Sequence, residues 1–340
     1  MHFCILGCGK IAKTHAKILK KLEHYVPGKP TRISFASRDL EKAKKYKKMF
    51  RGDFTFGSYE QAMTHDDVDV IVICTPNDNH KALALKTLEN KKHLVIEKPI
   101  ALTTKEADEI IQMAKETKKM VLVAENHRYR PHIRYLEYLI QSGELGVVKM
   151  IRMNVMRKHK FEQNEWRAKP NQMGGGPLID GGIHWINALL TLGQEQVLDI
   201  QAMEPPRTLD PCPKEDSLAI LCQFKNGAVG SLTYSWGIPG SFPIKFISVH
   251  GSKGSVYISN TGMFGLKTIQ WPIPLKLPFR DWRGYLAMWQ NFLYALANEN
   301  MELCLCPAEI GRRDLEFVEK VYQSLPQKDQ KTYSTTAKIA

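Results

Sequence analysis

Between Gly174 and His184 the chain reads GGGPLIDGGIH, five glycines in eleven residues, with Asp180 set four positions ahead of His184. Glycine removes bulk and opens backbone conformations closed to other residues, so such a run marks where main chain approaches something closely; the plainer reading is a loop entering a helix. A second group opens the chain. Gly7-Cys8-Gly9-Lys10-Ile11-Ala12 fits GxGxx(G/A) directly after an apolar run. There the first glycine makes the tight turn, the second lets backbone reach a pyrophosphate, and Ala12 allows close helix-to-strand packing, the chemistry of dinucleotide binding. A third group is Glu97-Lys98-Pro99, where the proline restricts Lys98 to an extended backbone and aims its ammonium into a crevice; the alternative is a surface ion pair ended by a loop proline.

The elements around these groups say where they sit. From Met1 to about Ala124 short apolar runs (HFCIL, RISFAS, VDVIVICT, HLVIE, VLVAE) alternate with lysine-rich amphipathic stretches. Strand, helix, strand repeated in this way predicts a doubly wound parallel sheet with right-handed crossovers. The runs ending at Cys74-Thr75-Pro76-Asn77-Asp78-Asn79-His80 and at Ile96-Glu97-Lys98-Pro99 then lie at the carboxyl edge, where open α/β sheets bind ligands. At the end of the second strand stands Ser37-Arg38. An NAD site usually carries a carboxylate there, whereas arginine suits a 2′-phosphate, so the turn predicts NADP(H) with NAD(H) as the alternative. Asp39 is the complication, since it can reach a ribose or cap the helix that begins at Leu40.

After Arg130-Pro131 the texture changes. A helix from about His132 to Ser142 precedes strand-like runs KMIRMNVMRK, SLAILCQF, AVGSLTYSW, FISVHG and GSVYIS, with turn signals at Lys225-Asn226-Gly227 and GSKG. These predict antiparallel hairpins in an open sheet, followed by helices over Asp281–Asn298 and Pro307–Leu325. The expected organisation is a dinucleotide-binding domain over residues 1–124 and an α+β domain with an open, mainly antiparallel sheet over 125–340. The polar residues from 327 to 340 read as a loosely held tail.

Composition removes several function classes. At 340 residues, 43% hydrophobic and 24% charged, the chain is an ordinary globular one long enough for two domains. No run of eighteen apolar residues suggests a membrane span, and MHFCILGCGK has neither a basic leader nor a cleavage pattern, so the protein is expected in the cytoplasm. The seven cysteines are scattered through apolar segments, as reduced core cysteines are; Cys4/Cys8 and Cys304/Cys306 lack the further ligands of a zinc site, and no metal is expected. The formal charge of +13 sits in mixed helical segments such as EKAKKYKKMFR, without zinc-finger spacing or an aromatic basic stripe. It argues against nucleic acid and for an anionic small molecule.

GCGKIA, CTPNDNH, VIEKPI, ENHRYRP, WR and GGGPLIDGGIH, in this order, resemble the glucose–fructose oxidoreductase/inositol dehydrogenase/MocA (Gfo/Idh/MocA) family of NAD(P)-dependent oxidoreductases, over the chain from Phe3 to about Asn298. The resemblance implies a Rossmann domain, a sugar, cyclic polyol or keto-sugar as substrate, with or without a phosphate or nucleotide on it, and dimers or tetramers built through the open sheet. It also implies a catalytic triad of Lys98, Asp180 and His184, the last two on one face of a helix starting near Pro177, with the flanking glycines making room for cofactor and sugar. Hydride transfer onto a carbonyl leaves an oxygen to be protonated, and histidine is the natural acid/base, with Lys98 polarising the same oxygen; Lys98 as proton donor is the alternative. By the same resemblance Thr75, Pro76, Asn77, His80 and Asn126 border the cofactor, Glu97 the nicotinamide ribose, and Trp166 and Arg167 the carboxamide. Arg128, Arg157, His159 and Tyr285 are candidates for substrate contact. Asn77 also suits a helix cap, and an isolated Trp166 packing. The family more often has aspartate where this chain has Asn187. A non-catalytic dinucleotide sensor is the competing reading, but a sensor has no need of the triad.

Overall fold

The computed structural model describes residues 1–162, 165–238, 245–259, 262–267, 273–274 and 281–326. The tail expected over 327–340 lies outside the described residues.

The first sheet contains β1 (His2–Leu6), β2 (Arg32–Ala36), β3 (Thr55–Phe56), β4 (Val70–Ile73), β5 (His93–Ile96) and β6 (Val121–Val123) in the order β3-β2-β1-β4-β5-β6. All its pairings are parallel. Helices α1 (Lys10–Lys21), α2 (Leu40–Phe50), α3 (Tyr59–Thr64), α4 (His80–Glu89) and α5 (Thr104–Thr117) connect the strands. Alternate side chains of each strand enter opposite layers, as strand geometry requires. Cys4 and Leu6 join the core shared with α4 and α5, while Phe3 and Ile5 join the one shared with α1 and α2. Burial on both faces explains why these strands read as near-continuous apolar runs.

The chain then forms α6 (Pro131–Gln141), β7 (Val148–Met156), α7 (Pro170–Met173), α8 (Ile183–Gly193), β8 (Val197–Met203), β9 (Ser217–Phe224), β10 (Val229–Ser235), β11 (Lys245–Gly251), β12 (Gly254–Ser259), β13 (Gly262–Lys267) and β14 (Ile273–Pro274). The second sheet runs β14-β13-β12-β11-β7-β10-β9-β8; β7 and β10 are parallel, and the other neighbours antiparallel. Two hairpins fall where the turn residues place them, with Gly227 at φ +83° between β9 and β10. Strand β8 was not foreseen. Its residues Leu198 to Ala202 do alternate, but as an edge strand it is mostly solvated and carries no long apolar run.

Two last helices, α9 (Tyr285–Ala297) and α10 (Ala308–Ser324), return to the first sheet. Met288, Trp289, Phe292 and Leu293 of α9 enter the core of β1 and α1, and α10 lies against α5 and β6. Full burial of Trp289 and Phe292 ties the chain's end to the sheet on which it began.

Candidate active site

The carboxyl ends of β1, β4, β5 and β6 deliver Gly7, Thr75, Glu97-Lys98 and Glu125 to one edge of the first sheet. Opposite them stand a single π turn, Leu178–Gly182, and the first turn of α8, with a cleft of about 350 Å³ between. Thr75, Lys98, Arg167, Asp180, His184 and Tyr285 are among its walls.

The phosphate end of the site is built from backbone. Gly7 has φ +92°, and a Cβ there would stand 2.9 Å from the Cys74 carbonyl oxygen, so a side chain is excluded. A Cβ on Gly9 would meet nothing within 4 Å, and no side chain caps α1 behind it. The free N–H groups of that helix, an open approach at Gly9 and the buried Ala12 fit the pyrophosphate of a dinucleotide. Lys10 points away, toward Glu162, in an exposed pair at 3.1 Å, while Ile11 reaches the cleft. At the end of β2, Ser37 is buried and its Oγ accepts the Asp39 N–H at 3.2 Å, whereas Arg38 is exposed. Asp39 caps α2, accepting the Lys42 N–H, and pairs with the Lys42 ammonium at 3.4 Å.

At the cleft's centre the Lys98 ammonium donates to the Asp180 carbonyl at 2.5 Å and lies 3.4 Å from its Oδ1. Arg167 Nε donates to Asp180 Oδ2 at 2.8 Å, and its guanidinium lies 4.4 Å over the Trp166 ring. Burial alone would raise the Asp180 carboxyl, but the Lys98 and Arg167 charges prevail and hold it well below the usual range. Glu97 is balanced similarly. Burial raises it, while the His15 hydrogen bond at 2.8 Å and the Lys98 charge hold it down. Burial pushes the Tyr285 phenol well up, keeping it a neutral donor.

His184 Nδ1 lies 2.6 and 2.8 Å from the two Glu125 carboxylate oxygens, and its ring stacks on His127 at 4.3 Å. Glu125 and His127 were not foreseen, although an acid ending an apolar run, VLVAE, is the signal that singled out Glu97. These three residues gather ligand-type atoms within 4.8 Å of one another. However, Glu125 already engages Nδ1, and near-parallel rings do not converge their nitrogens as tetrahedral coordination requires.

Other expected residues divide. Asn77, Asn126, Arg157, Trp166 and Tyr285 line the cleft; Asn77 also donates to the Met173 carbonyl and Asn126 to that of Arg283. Pro76 precedes a 3₁₀ turn at the same edge. His80 is fully buried between the carbonyls of Pro99 and Thr75, bracing the Lys98 loop from behind. His159 stands one layer back, 3.5 Å from Glu165, which bonds Arg167. Arg128 does not reach the cleft: it pairs with Glu137 at 2.9 Å and lines a separate cavity between α8 and α10.

The glycine run differs from expectation in its reason. Asp180 and His184 do share the cleft, but through a π turn joined to α8, a wider coil than the regular helix expected. The glycines make room for the protein's own groups. A Cβ on Gly176 would overlap the Glu215 carboxylate, one on Gly175 would crowd the Tyr322 hydroxyl, and one on Gly181 would overlap that of Tyr234. Glu215 in turn accepts the Leu178 N–H at 2.9 Å and the Tyr322 hydroxyl at 3.0 Å, pinning the start of the π turn.

Residues 1–125 match the model described as "Oxidoreductase family, NAD-binding Rossmann fold", and residues 133–257 that described as "GFO/IDH/MocA C-terminal domain". Levoglucosan dehydrogenase of Pseudarthrobacter phenanthrenivorans is 24% identical over 281 residues, covering 74% of this chain and 72% of the relative. Trans-1,2-dihydrobenzene-1,2-diol dehydrogenase of Bos taurus is 28% identical over 256 residues, covering 74% and 71%. A solved structure of levoglucosan dehydrogenase, in complex with NADH and levoglucosan, superposes with a TM-score of 0.82 at 21% identity over 95% of this chain and 96% of that one.

Proposed function

The chain belongs to the Gfo/Idh/MocA family of NAD(P)-dependent oxidoreductases, and from that premise we propose that it moves a hydride between NADP(H) and a carbinol or carbonyl carbon of a sugar, cyclic polyol or keto-sugar. The carrying observation is one cleft in which Lys98, steadied by Asp180, and His184, steadied by Glu125, stand at the carboxyl edge of the dinucleotide-binding sheet.

The nicotinamide, when bound, supplies the hydride acceptor or donor. The chain's own residues handle the oxygen. In the oxidative direction the substrate hydroxyl gives its proton to the His184 imidazole as the carbon's C–H electron pair leaves with the hydrogen; in reduction His184 returns the proton. Lys98 donates a hydrogen bond to the same oxygen. Its ammonium is already committed to Asp180, which supports the polarising role for Lys98 and the proton-transfer role for His184. Arg167 and Lys98 neutralise Asp180, so the site needs no proton on it.

Two features support NADP(H). Arg38 is exposed where a 2′-phosphate would lie, and Asp39, the group that would favour an unphosphorylated ribose, is occupied by Lys42. The named substrates of the relatives, levoglucosan and a cyclic trans-diol, support a hydroxylated ring. The test is a panel of sugars, anhydrosugars, inositols, cyclic diols and keto-sugars, each with both cofactors, followed at the nicotinamide absorbance. Turnover of a ring alcohol or ketone is expected. Tight dinucleotide binding with no turnover across the panel would return the chain to the sensor class.

A further inference from the structure

We propose that Glu125 is a positioning residue that fixes His184 as its Nδ1–H tautomer, so that Nε2 is the atom presented to the substrate oxygen. This rests on the acid/base role given to His184 above.

Glu125 sits at the end of β6, 2% exposed, and its carboxylate faces into the protein. An ionised carboxylate accepts and cannot donate, so a ring nitrogen 2.6 Å from Oε1 and 2.8 Å from Oε2 must carry the hydrogen. In the neutral imidazole the other nitrogen is then a bare acceptor. A protonated Glu125 would reverse this, donating to a bare Nδ1 and leaving the hydrogen on Nε2, which a base at the substrate hydroxyl cannot use.

A further donor meets the carboxylate. The His127 backbone N–H donates to Oε1 at 2.9 Å, adding a second donor to that oxygen. The His127 ring, stacked on His184 at 18°, closes one face of the imidazole and limits its rotation about Cβ–Cγ. Edge and face are both held, which is the preorganisation that proton transfer to a single oxygen requires.

The experiment is nitrogen NMR on the full chain labelled with ¹⁵N-histidine at neutral pH, with His184→Asn used to assign the signal. Wild-type protein is expected to show a protonated Nδ1 and an acceptor-type Nε2. Glu125→Gln keeps this tautomer, because the amide oxygen still accepts; Glu125→Ala loses it. Turnover on a ring substrate found in the panel falls about 10- to 100-fold in Glu125→Ala, less in Glu125→Gln, with cofactor affinity and KM within about twofold of wild type. A wild-type signal from the Nε2–H tautomer overturns the proposal by itself, whether or not Glu125→Ala folds. So does a folded Glu125→Ala with unchanged tautomer and rate. If the tautomer is as stated but His184→Ala transfers hydride at the wild-type rate, the acid/base reading has failed and the positioning of His184 has not.

Discussion

Asp180 is gripped from both sides, by Lys98 through its main-chain carbonyl and Oδ1 and by Arg167 through Oδ2, and this divides the labour among the charged groups of the cleft. A carboxylate held so far below its usual range orients its neighbours and takes no proton. Lys98→Met and His184→Ala should therefore each slow single-turnover hydride transfer by about 10² to 10⁴ while cofactor affinity stays near wild type. The double variant should lose less than the product, because both groups act on one oxygen. Wild-type rates in both single variants, on a confirmed substrate, would remove this cleft as the site of chemistry. At the far end of the cofactor site, Arg38→Ala should weaken NADPH by about 1.5 to 3 kcal/mol and NADH hardly at all, read by fluorescence titration. Equal losses would end the NADP(H) assignment. Asp180, His184 and Arg167 came with the family resemblance, whereas Lys98 and Arg38 were legible from type and position at strand ends. Glu125 carried the same signal and was passed over, because its partner is 59 positions away and no spacing rule links them.

Helix α8 depends on a joint that its own residues do not reveal. Asn187 donates to Asp314 Oδ2 at 2.7 Å, joining α8 to α10 at a buried position. This accounts for the departure from the family's more common aspartate, since a carboxylate at 187 would face that of Asp314. Burial lifts Asp314 to about 6 even though Arg313 and Asn187 pull it down. The folded carboxyl thus binds its proton more tightly than an unfolded one, whose pKa is about 3.9. By linkage its contribution to stability is complete below about pH 4 and is lost as pH rises through about 6. The change amounts to about 2 to 3 kcal/mol at most. Asp314→Asn should flatten that fall in denaturant-melt stability between pH 4 and 6. An unchanged slope would show that Asp314 titrates as an ordinary carboxyl.

Among the described residues, helices cover the second sheet on one face only. Its inner side packs on α8, whereas Met150, Met203 and Leu221 project outward, Met203 at 73% exposed. Apolar side chains grouped on a flat sheet mark an interface between chains. We expect a dimer or tetramer by light scattering at micromolar concentration, and Leu221→Glu should raise its dissociation constant at least about tenfold. A fully active wild-type monomer would refute this. The proposed division at residues 124 and 125 separates the two sheets, while α9 and α10, far along the chain, pack on the first. No helix among the described residues is long and apolar enough to cross a membrane.

Periodicity and short-range stereochemistry were enough for the parallel sheet, the hairpins, the pyrophosphate turn and the carboxyl-edge location of Lys98, because each depends on residues within a few positions of one another. Gly7 has one reason its own turn supplies, a φ of +92°. Gly176 and Gly181 are glycine because Glu215 and Tyr234, distant in sequence, occupy the space a side chain would take. The same limit applies to the Glu125–His184 pair, the Asn187–Asp314 joint and the return of α9 onto β1. These contacts come from closing the chain on itself, and packing and electrostatics between distant segments leave no periodic trace in the sequence from which either partner was read.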